Sequence, residues 1–137
     1  MAVRAANGAV VALSLDITDL DATAAALSKR AANGIVVNSA GLARHSPVLD
    51  TTPRDYDEAM AVNPPAAYFR SSRTGNAIKN NEVSGSIISV TSQVGHVGRV
   101  DRAAYCASRI GVQGMAKAMA VEWGDAGIRI NTICPTF

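Results

Sequence analysis

Short apolar runs alternate with longer helix-like stretches along the 137 residues of this chain. Four apolar runs rich in β-branched residues predict strands, at residues 9–14, 35–38, 86–91 and 128–133. Three intervening stretches predict helices, at residues 19–32, 53–78 and 103–123. Short apolar strands that alternate with helices are typical of a parallel sheet covered on both faces, so the sequence predicts an α/β fold.

The helix at 53–78 has clear start signals and one internal conflict. Thr52 is a preferred N-cap residue, and Pro53 is tolerated at the first helical position, so the helix is expected to begin there. Pro64 and Pro65 predict a kink or an interruption after Met60, because each proline removes an amide donor and disfavours helical geometry in the residue before it.

Tyr105 and Arg109 lie four residues apart in the predicted helix at 103–123, and Ser92 lies upstream at the end of a predicted strand. Positions i and i+4 share one face of a helix, so the phenol and the guanidinium are expected side by side. A neighbouring cation favours the ionised form of a phenol, which can then take the proton of an alcohol as hydride leaves. The pattern predicts a polar site for a substrate alcohol or carbonyl.

Four segments of the chain, two of which contain these three residues, carry a wider sequence pattern. They are Ile35–Gly41, which ends in Asn38-Ser39-Ala40-Gly41, Gly85–Ser92, Tyr105–Arg109 and Ile128–Pro135. Together they resemble the short-chain dehydrogenase/reductase family, from about residue 9 to the last residue. The resemblance implies a Rossmann-like, doubly wound parallel sheet and hydride transfer between NAD or NADP and a small-molecule alcohol or carbonyl.

The resemblance also implies roles for individual residues. Ser92, Tyr105 and Asn63 match the catalytic Ser, Tyr and Asn of the family, and the family's catalytic lysine falls on Arg109. The residues implied in cofactor binding are Asp16, Ile17, Asn38, Ser39, Ala40, Gly41, Tyr105, Arg109 and Pro135. Those implied at the substrate are Ser92, Gln93 and His96, and no metal is expected. The loops at 38–44 and 95–98 look similar to those of polyol and sugar dehydrogenases.

The chain departs from the family pattern at both ends and at the position of the family's catalytic lysine. The glycine-rich first turn is absent, as are the two strands expected before residue 9 and everything after Phe137. The sequence therefore predicts a single incomplete dinucleotide-binding domain over residues 1–137, a partial doubly wound sheet without its first two strands and its C-terminal segment. We expect the strand at 9–14 to close the gap and pair with 34–38.

Two of these departures bear on activity. The pyrophosphate of a dinucleotide normally rests at the N-terminus of the first helix, so weak cofactor binding is expected without that turn. Arg109 keeps the positive charge of the lysine, but its planar fork is longer and wider than an ammonium group. We therefore expect slow turnover, and we expect Arg109→Lys to raise it.

Each candidate residue also has a purely structural interpretation. Tyr105 and Arg109 are alternatively a simple pair on a helix surface, and Ser92 alternatively hydrogen-bonds only to its own backbone. Asn63 is alternatively polar filler in a helix, and Asp16 alternatively caps the helix that follows it. These alternatives stay open at the level of sequence.

Composition narrows the class of partner. A net charge of +2, from 13 basic and 11 acidic residues, is too small to imply nucleic acid or a membrane surface. No apolar run approaches the roughly 18 residues that span a bilayer. Cys106 and Cys134 lack metal or disulfide spacing, which favours a reduced cytoplasmic setting. His45 is expected in a solvated loop.

Two hypotheses of function follow from the sequence. The first is an NAD(P)-dependent oxidoreductase that acts on a polyol-like or sugar-like secondary alcohol. The second is a catalytically silent, truncated relative that acts as an oligomerisation or interaction module. In both cases a homo-oligomer is expected through the helices at 53–78 and 103–123.

Overall fold

Three parallel strands form the sheet in the computed structural model, which describes residues 12–28 and 34–136. The strands are β1 (Ile35–Asn38), β2 (Gly85–Val90) and β3 (Ile128–Ile133), in the order β1-β2-β3. Ile35 pairs with Ser86 in the first ladder, and Gly85 pairs with Ile128 in the second. The α/β class and these three predicted strands are confirmed.

Four helices accompany these strands in the part of the chain that the structure describes. They are α1 (Leu20–Ser28), α2 (Pro53–Asn80), α3 (Val94–Val97) and α4 (Ala103–Trp123), with short 3-10 turns at Val48–Asp50 and Gly124–Ala126. The limits of α4 are those that the sequence predicts, whereas α3 lies in a segment predicted as a loop. Helix α1 is the predicted helix at 19–32, of which residues 29–33 lie outside the described residues. No helix within the described ranges is both long and apolar enough to cross a membrane.

Helices α2 and α4 pack against each other and against one face of the sheet. The core between them is apolar, and Ile78 and Ile87 are completely buried at its centre. The other members of this core cluster are Ala116, Met119, Ile128 and Ile130. This packing fixes α2 and α4 relative to the sheet.

The prediction of a sheet covered on both faces is wrong for the described residues. Ile35 and Val37 point away from α2 and α4, and they are 68% and 50% exposed. The crossover from β1 to β2 and the crossover from β2 to β3 step in the same direction along the sheet. Crossovers of the same hand that step the same way place their helices on the same face, so the opposite face stays open.

The predicted strand at 9–14 and its pairing with 34–38 are wrong for residues 12–14, which form no strand and are exposed. Residues 9–11 lie outside the described residues. In the described part of the chain, β1 pairs only with β2. A strand is stabilised by a neighbouring ladder and a buried side, and Leu13 is 50% exposed, so this run lacks both.

The helix α2 runs through Pro64 and Pro65 without the predicted interruption. Its start is as predicted, because the Thr52 hydroxyl accepts a hydrogen bond of 3.1 Å from the amide of Asp55. Each proline lacks an amide donor, but the helix is buried on both sides of the pair, at Ala59 and Ala66. Tertiary packing therefore outweighs the local cost of the prolines.

Candidate active site

One face of α4 is anchored to the carboxyl end of β2. Arg109 donates through Nη1 to the carbonyl oxygen of Val90 at 3.3 Å. One turn further along, Gln113 donates through Nε2 to the Thr91 hydroxyl at 3.2 Å and to the Ser92 carbonyl oxygen at 3.4 Å. Tyr105 lies one turn before Arg109 on the same face, so the predicted phenol is presented toward this edge of the sheet.

The guanidinium of Arg109 is folded back into the protein. Arg109 is only 9% exposed, and its Cζ lies 5.1 Å from the centroid of the Tyr105 ring. A Cβ on Gly41 would collide with Nη2 of Arg109 and lie 2.8 Å from its Cζ, so the guanidinium covers Gly41. Its Nε is buried without a hydrogen-bond partner among the described residues. The structure thus brings Tyr105, Arg109 and Gly41 together.

Asn63 joins the loop after β1 to the helix that carries Tyr105. Its Nδ2 donates to the Leu42 carbonyl oxygen and to the Ser108 hydroxyl, and its Oδ1 accepts from the Leu42 amide, each at 2.8 Å. The Ser108 hydroxyl in turn donates to the Tyr105 carbonyl oxygen at 2.8 Å. Asn63 is 2% exposed, so it is a buried clamp rather than the polar filler of the alternative interpretation.

The hydroxyl group of Tyr105 is available to a ligand. Its hydroxyl forms no hydrogen bond with the described residues, and the side chain is partly exposed. The ring of His45 approaches edge-on, with centroids 5.8 Å apart and planes at 82°. The Nε2 of His45 lies 3.0 Å from Nη1 of Arg102. His45 lies in an exposed loop, as predicted. Sequence reasoning missed Arg102 and Ser108 and the contact of His45 with Arg102, because no local pattern marks a contact between two loops.

Ser92 is buried at the end of β2, with 4% of its surface exposed. Its Oγ accepts a weak hydrogen bond of 3.4 Å from the amide of Val94, which is the local bond that the structural interpretation predicts. A hydroxyl that accepts one bond still has its proton to donate. Ser92 therefore lies at the correct edge of the sheet, and its role as a substrate contact stays a prediction.

The loops that follow β2 and β3 lie against each other. The backbone N–H of Gln93 donates to the Pro135 carbonyl oxygen at 3.3 Å. The side-chain Oε1 of Gln93 accepts from the Thr136 hydroxyl at 2.9 Å. His96 is exposed, and its Nε2 lies 3.8 Å from Sγ of Cys134. The residues predicted for the substrate and the residue predicted for the cofactor, Pro135, therefore share one rim.

The segment after β1 presents small exposed residues beside Arg109. Ser39, Ala40 and Gly41 are all exposed, and a ligand can approach the backbone of Ser39 and Ala40 closely. Asn38 is buried behind them, where its Nδ2 donates to the hydroxyls of Ser71 at 3.0 Å and Ser89 at 3.3 Å. Asn38 thus fixes the end of β1, while the three small residues form an open ledge.

Asp16 and Ile17 are not joined to this site by any described contact. The carboxylate of Asp16 accepts from the amide of Thr18 at 2.9 Å and from its hydroxyl at 2.7 Å. These bonds, the backbone one first, lower the pKa of Asp16 below its usual range. This local turn precedes α1, but Asp16 does not cap that helix, because the carboxylate that accepts from the Ala22 amide at 2.9 Å is that of Asp19. No described residue forms a glycine-rich cradle for a pyrophosphate.

Comparisons with known proteins agree with this geometry. A family model described as short chain dehydrogenase matches residues 2–137. The chain is 35% identical over 134 residues to a D-threitol dehydrogenase of Mycolicibacterium smegmatis, covering 95% of this chain and 51% of that protein. It therefore spans about half the length of this relative.

Solved structures show the same likeness. A putative NAD(P) dependent gluconate 5-dehydrogenase from Beutenbergia cavernae, with bound NADP, superposes with a TM-score of 0.89 at 29% identity. That match covers 98% of this chain and 55% of the other. A 4-hydroxyisoleucine dehydrogenase complexed with NADH and succinate superposes with a TM-score of 0.82 at 28% identity, covering 90% and 59% of the two chains.

Proposed function

This chain belongs to the short chain dehydrogenase family, and we propose that it is an NAD(P)-dependent oxidoreductase that interconverts a secondary alcohol and a carbonyl. The observation that carries the proposal is the free phenol of Tyr105 beside the guanidinium of Arg109, at the carboxyl edge of a parallel sheet. Ligands of open α/β sheets bind at this edge. The similarity to a D-threitol dehydrogenase favours a polyol-like substrate.

NAD or NADP would supply the hydride chemistry, held by the exposed ledge Ser39–Gly41 together with Tyr105 and Pro135. The ionised oxygen of Tyr105 takes the proton of the alcohol, and in the reverse direction the neutral phenol returns that proton to the carbonyl oxygen. The guanidinium of Arg109, 5.1 Å from the ring centroid, supplies a positive charge beside the phenol. The hydroxyl of Ser92 orients the substrate oxygen.

Asn63 contributes by position rather than by proton transfer. Its three hydrogen bonds hold Leu42, the residue directly after the ledge, and Ser108 on α4 in a fixed relative position. A misplacement of about 1 Å between reacting groups can cost about 100-fold in rate, so this clamp matters for the distance between the ledge and Tyr105.

Replacement of the acid/base tests the proposed function. Tyr105→Phe is expected to lower turnover of polyols by about 10²–10⁴-fold, because the variant removes the proton acceptor alone. Tyr56→Phe is the matched control, since Tyr56 is an exposed tyrosine on α2. Turnover is followed by nicotinamide fluorescence. Equal rates for the two variants would exclude Tyr105 as the acid/base.

The position of Arg109 bears on how fast the chain can work. Its guanidinium covers Gly41 in the ledge, so a ligand that approaches the Gly41 backbone must displace it. A lysine at this position keeps the charge on a narrower group. Arg109→Lys is expected to raise turnover at least about tenfold, and Arg129→Lys, an exposed position on β3, is expected to leave it unchanged. If Arg109→Lys brings no gain, Arg109 is not what limits the rate.

The silent module remains the second candidate, and the open face of the sheet and the apolar surfaces of α2 and α4 favour it. Tyr68 and Phe69 on α2 are 44% and 40% exposed and stack edge-on, with centroids 5.2 Å apart. Val121 on α4 is 87% exposed. These positions support a homo-oligomer through the two helices, and the free thiols of Cys106 and Cys134 are consistent with the proposed cytoplasmic setting.

Titration of NADH and NADPH, followed by nicotinamide fluorescence, separates the two candidates. Saturable binding supports the enzyme. Lack of saturation at millimolar cofactor supports the module.

A further inference from the structure

Two arginines without an acidic partner lie on either side of Tyr105. Three ion pairs join described residues, and neither Arg102 nor Arg109 takes part in them. Arg109 is nine-tenths buried, and its Nε has no hydrogen-bond partner in the described part of the chain. A buried cation is costly to desolvate unless it is paired, so a negative group close to this site would be stabilising.

The second cation is held at the rim of the site by contacts between two loops. The loop 42–46 and the loop 98–102 meet where the Ser46 amide donates to the Asp101 carbonyl oxygen at 3.0 Å. Beside that bond, Nη1 of Arg102 lies 3.0 Å from Nε2 of His45. A guanidinium only donates, so Nε2 of His45 is the acceptor in this contact. The guanidinium of Arg102 supplies a positive charge at the rim.

No ion pair between a carboxylate and Arg102 is present among the described residues. The carboxylate of Glu58 is engaged by Arg44 at 2.8 Å and by Arg54 at 3.0 Å. Asp101, the residue before Arg102, forms no ion pair with the described residues. The guanidinium of Arg102 thus keeps donors that are free for a ligand, next to the His45 ring that contacts Tyr105.

We propose that the substrate of this site carries a carboxylate or phosphate group, which Arg102 binds while the reacting alcohol faces Tyr105. This inference rests on the proposed function. It narrows the substrate from polyol-like alcohols in general to those that carry a negative charge. The planar fork of a guanidinium matches the paired oxygens of either group, and such charge-assisted hydrogen bonds are about twice as strong as neutral ones. Arg109, deeper in the site, adds attraction through its charge.

The test compares three ligands with the same four-carbon chain: erythritol, erythronate and erythritol 4-phosphate. Binding is followed through the ring resonances of His45 by NMR at low ionic strength. The chain has two histidines, so the ring resonances of His45 and His96 are assigned separately, and an external standard serves as the reference. We expect at least one anionic ligand to shift His45 and to bind about tenfold more tightly than erythritol.

Two variants assign the effect to Arg102. Arg102→Gln is expected to remove the tenfold preference, whereas Arg44→Gln is expected to keep it, because Arg44 is already paired with Glu58. Preference for erythronate alone identifies a carboxylate substrate, and preference for the phosphate ester alone identifies a phosphorylated one. Preference for both supports an anion of either kind.

Equal affinity for the three ligands, absence of any His45 shift, or a preference that survives Arg102→Gln would each overturn the proposal. This readout needs neither cofactor nor turnover. A chain that prefers the anions but oxidises none of the three ligands would retain this inference while losing the proposed function. Oxidation of erythritol without any preference for the anions would support the proposed function and overturn this inference.

Discussion

The two faces of the β-sheet differ sharply in how they are buried. On the face that α2 and α4 cover, Ile87 is completely buried, whereas Ile35 on the opposite face is 68% exposed. Successive residues of a strand point to opposite faces, so neighbouring positions of one strand belong to these two environments. The covered face holds the helices that carry Asn63, Tyr105 and Arg109. The geometry of the acid/base site therefore depends on one face of the sheet.

The same contrast separates the two ends of the predicted cofactor site. Near Tyr105, the side chains of Asn63 and Ser108 are buried and hydrogen-bonded across three segments of the chain. Near Asp16, the hydrogen bonds that the structure describes are local to one exposed turn. The residues proposed for proton transfer thus have a hydrogen-bonded scaffold in the described residues, whereas Asp16, which was predicted at the adenine side, has only local hydrogen bonds.

The strongest test of this contrast is a pair of truncations of isoleucine. Ile87→Ala is expected to lower the free energy of unfolding by about 2–5 kcal/mol, because it leaves a cavity between the sheet and two helices. Ile35→Ala removes the same atoms from the exposed face, and we expect it to change the free energy of unfolding by less than about 1 kcal/mol. Urea unfolding measures both. A large loss for Ile35→Ala would mean that a partner covers the open face in solution.

Removal of the clamp is expected to have the next largest effect. Asn63→Ala leaves the amide and carbonyl of Leu42 without their partner, and each unsatisfied buried group costs about 1–3 kcal/mol. Hydrogen exchange at the Leu42 amide is expected to become faster in this variant. Asn76→Ala, at an exposed position on the same helix, is the control. Unchanged exchange at Leu42 would show that Asn63 does not hold the loop.

Gly41→Ala tests whether Arg109 covers the ledge. The new methyl group displaces a guanidinium at the end of a flexible side chain, so the expected loss of stability is below about 1 kcal/mol. The expected signal is a severalfold faster modification of Arg109 by phenylglyoxal, mapped by mass spectrometry. Gly114→Ala, with open space around it, should leave that rate unchanged. Equal modification rates in Gly41→Ala and the parent chain would contradict the described contact.

The smallest expected effect is a dependence of stability on pH through Glu58. Hydrogen bonds from Arg54 first, and then from Arg44, hold the pKa of Glu58 below its usual range. A carboxyl with a lowered pKa stabilises the fold above its ordinary pKa, and this contribution is lost as pH falls through the lowered value. Glu58→Gln should therefore be slightly less stable near neutral pH, and the difference should vanish in acid. A difference that persists in acid would point to packing instead.

The sequence was sufficient for the elements whose signals are local. The limits of α4 could be predicted because a long apolar pattern ends at Gly124, and β3 because a short β-branched run follows Gly127. The run at 9–14 carries a similar pattern, but a strand also needs a neighbour, and a sequence does not show which neighbour is present. The continuity of α2 through its prolines likewise depends on packing against α4.

The site was predictable as a set of residues but not as a set of contacts. Matching positions to a family pattern selected Tyr105, Ser92 and Asn63 and showed an arginine in place of lysine. The direction of the Arg109 side chain depends on Gly41, which belongs to a distant loop, so no pattern within α4 contains it. The contact between His45 and Arg102 joins two loops in the same way.

The Asn63 clamp has a consequence for the order in which the protein is assembled. Asn63 and Ser108 are separated by 45 positions in the sequence, and the bond between them closes only when α4 docks on α2. Contacts of such long range form slowly compared with local helices. During synthesis, the ledge at residues 39–41 therefore emerges well before Tyr105, and the candidate active site can form only after α4 has docked on α2.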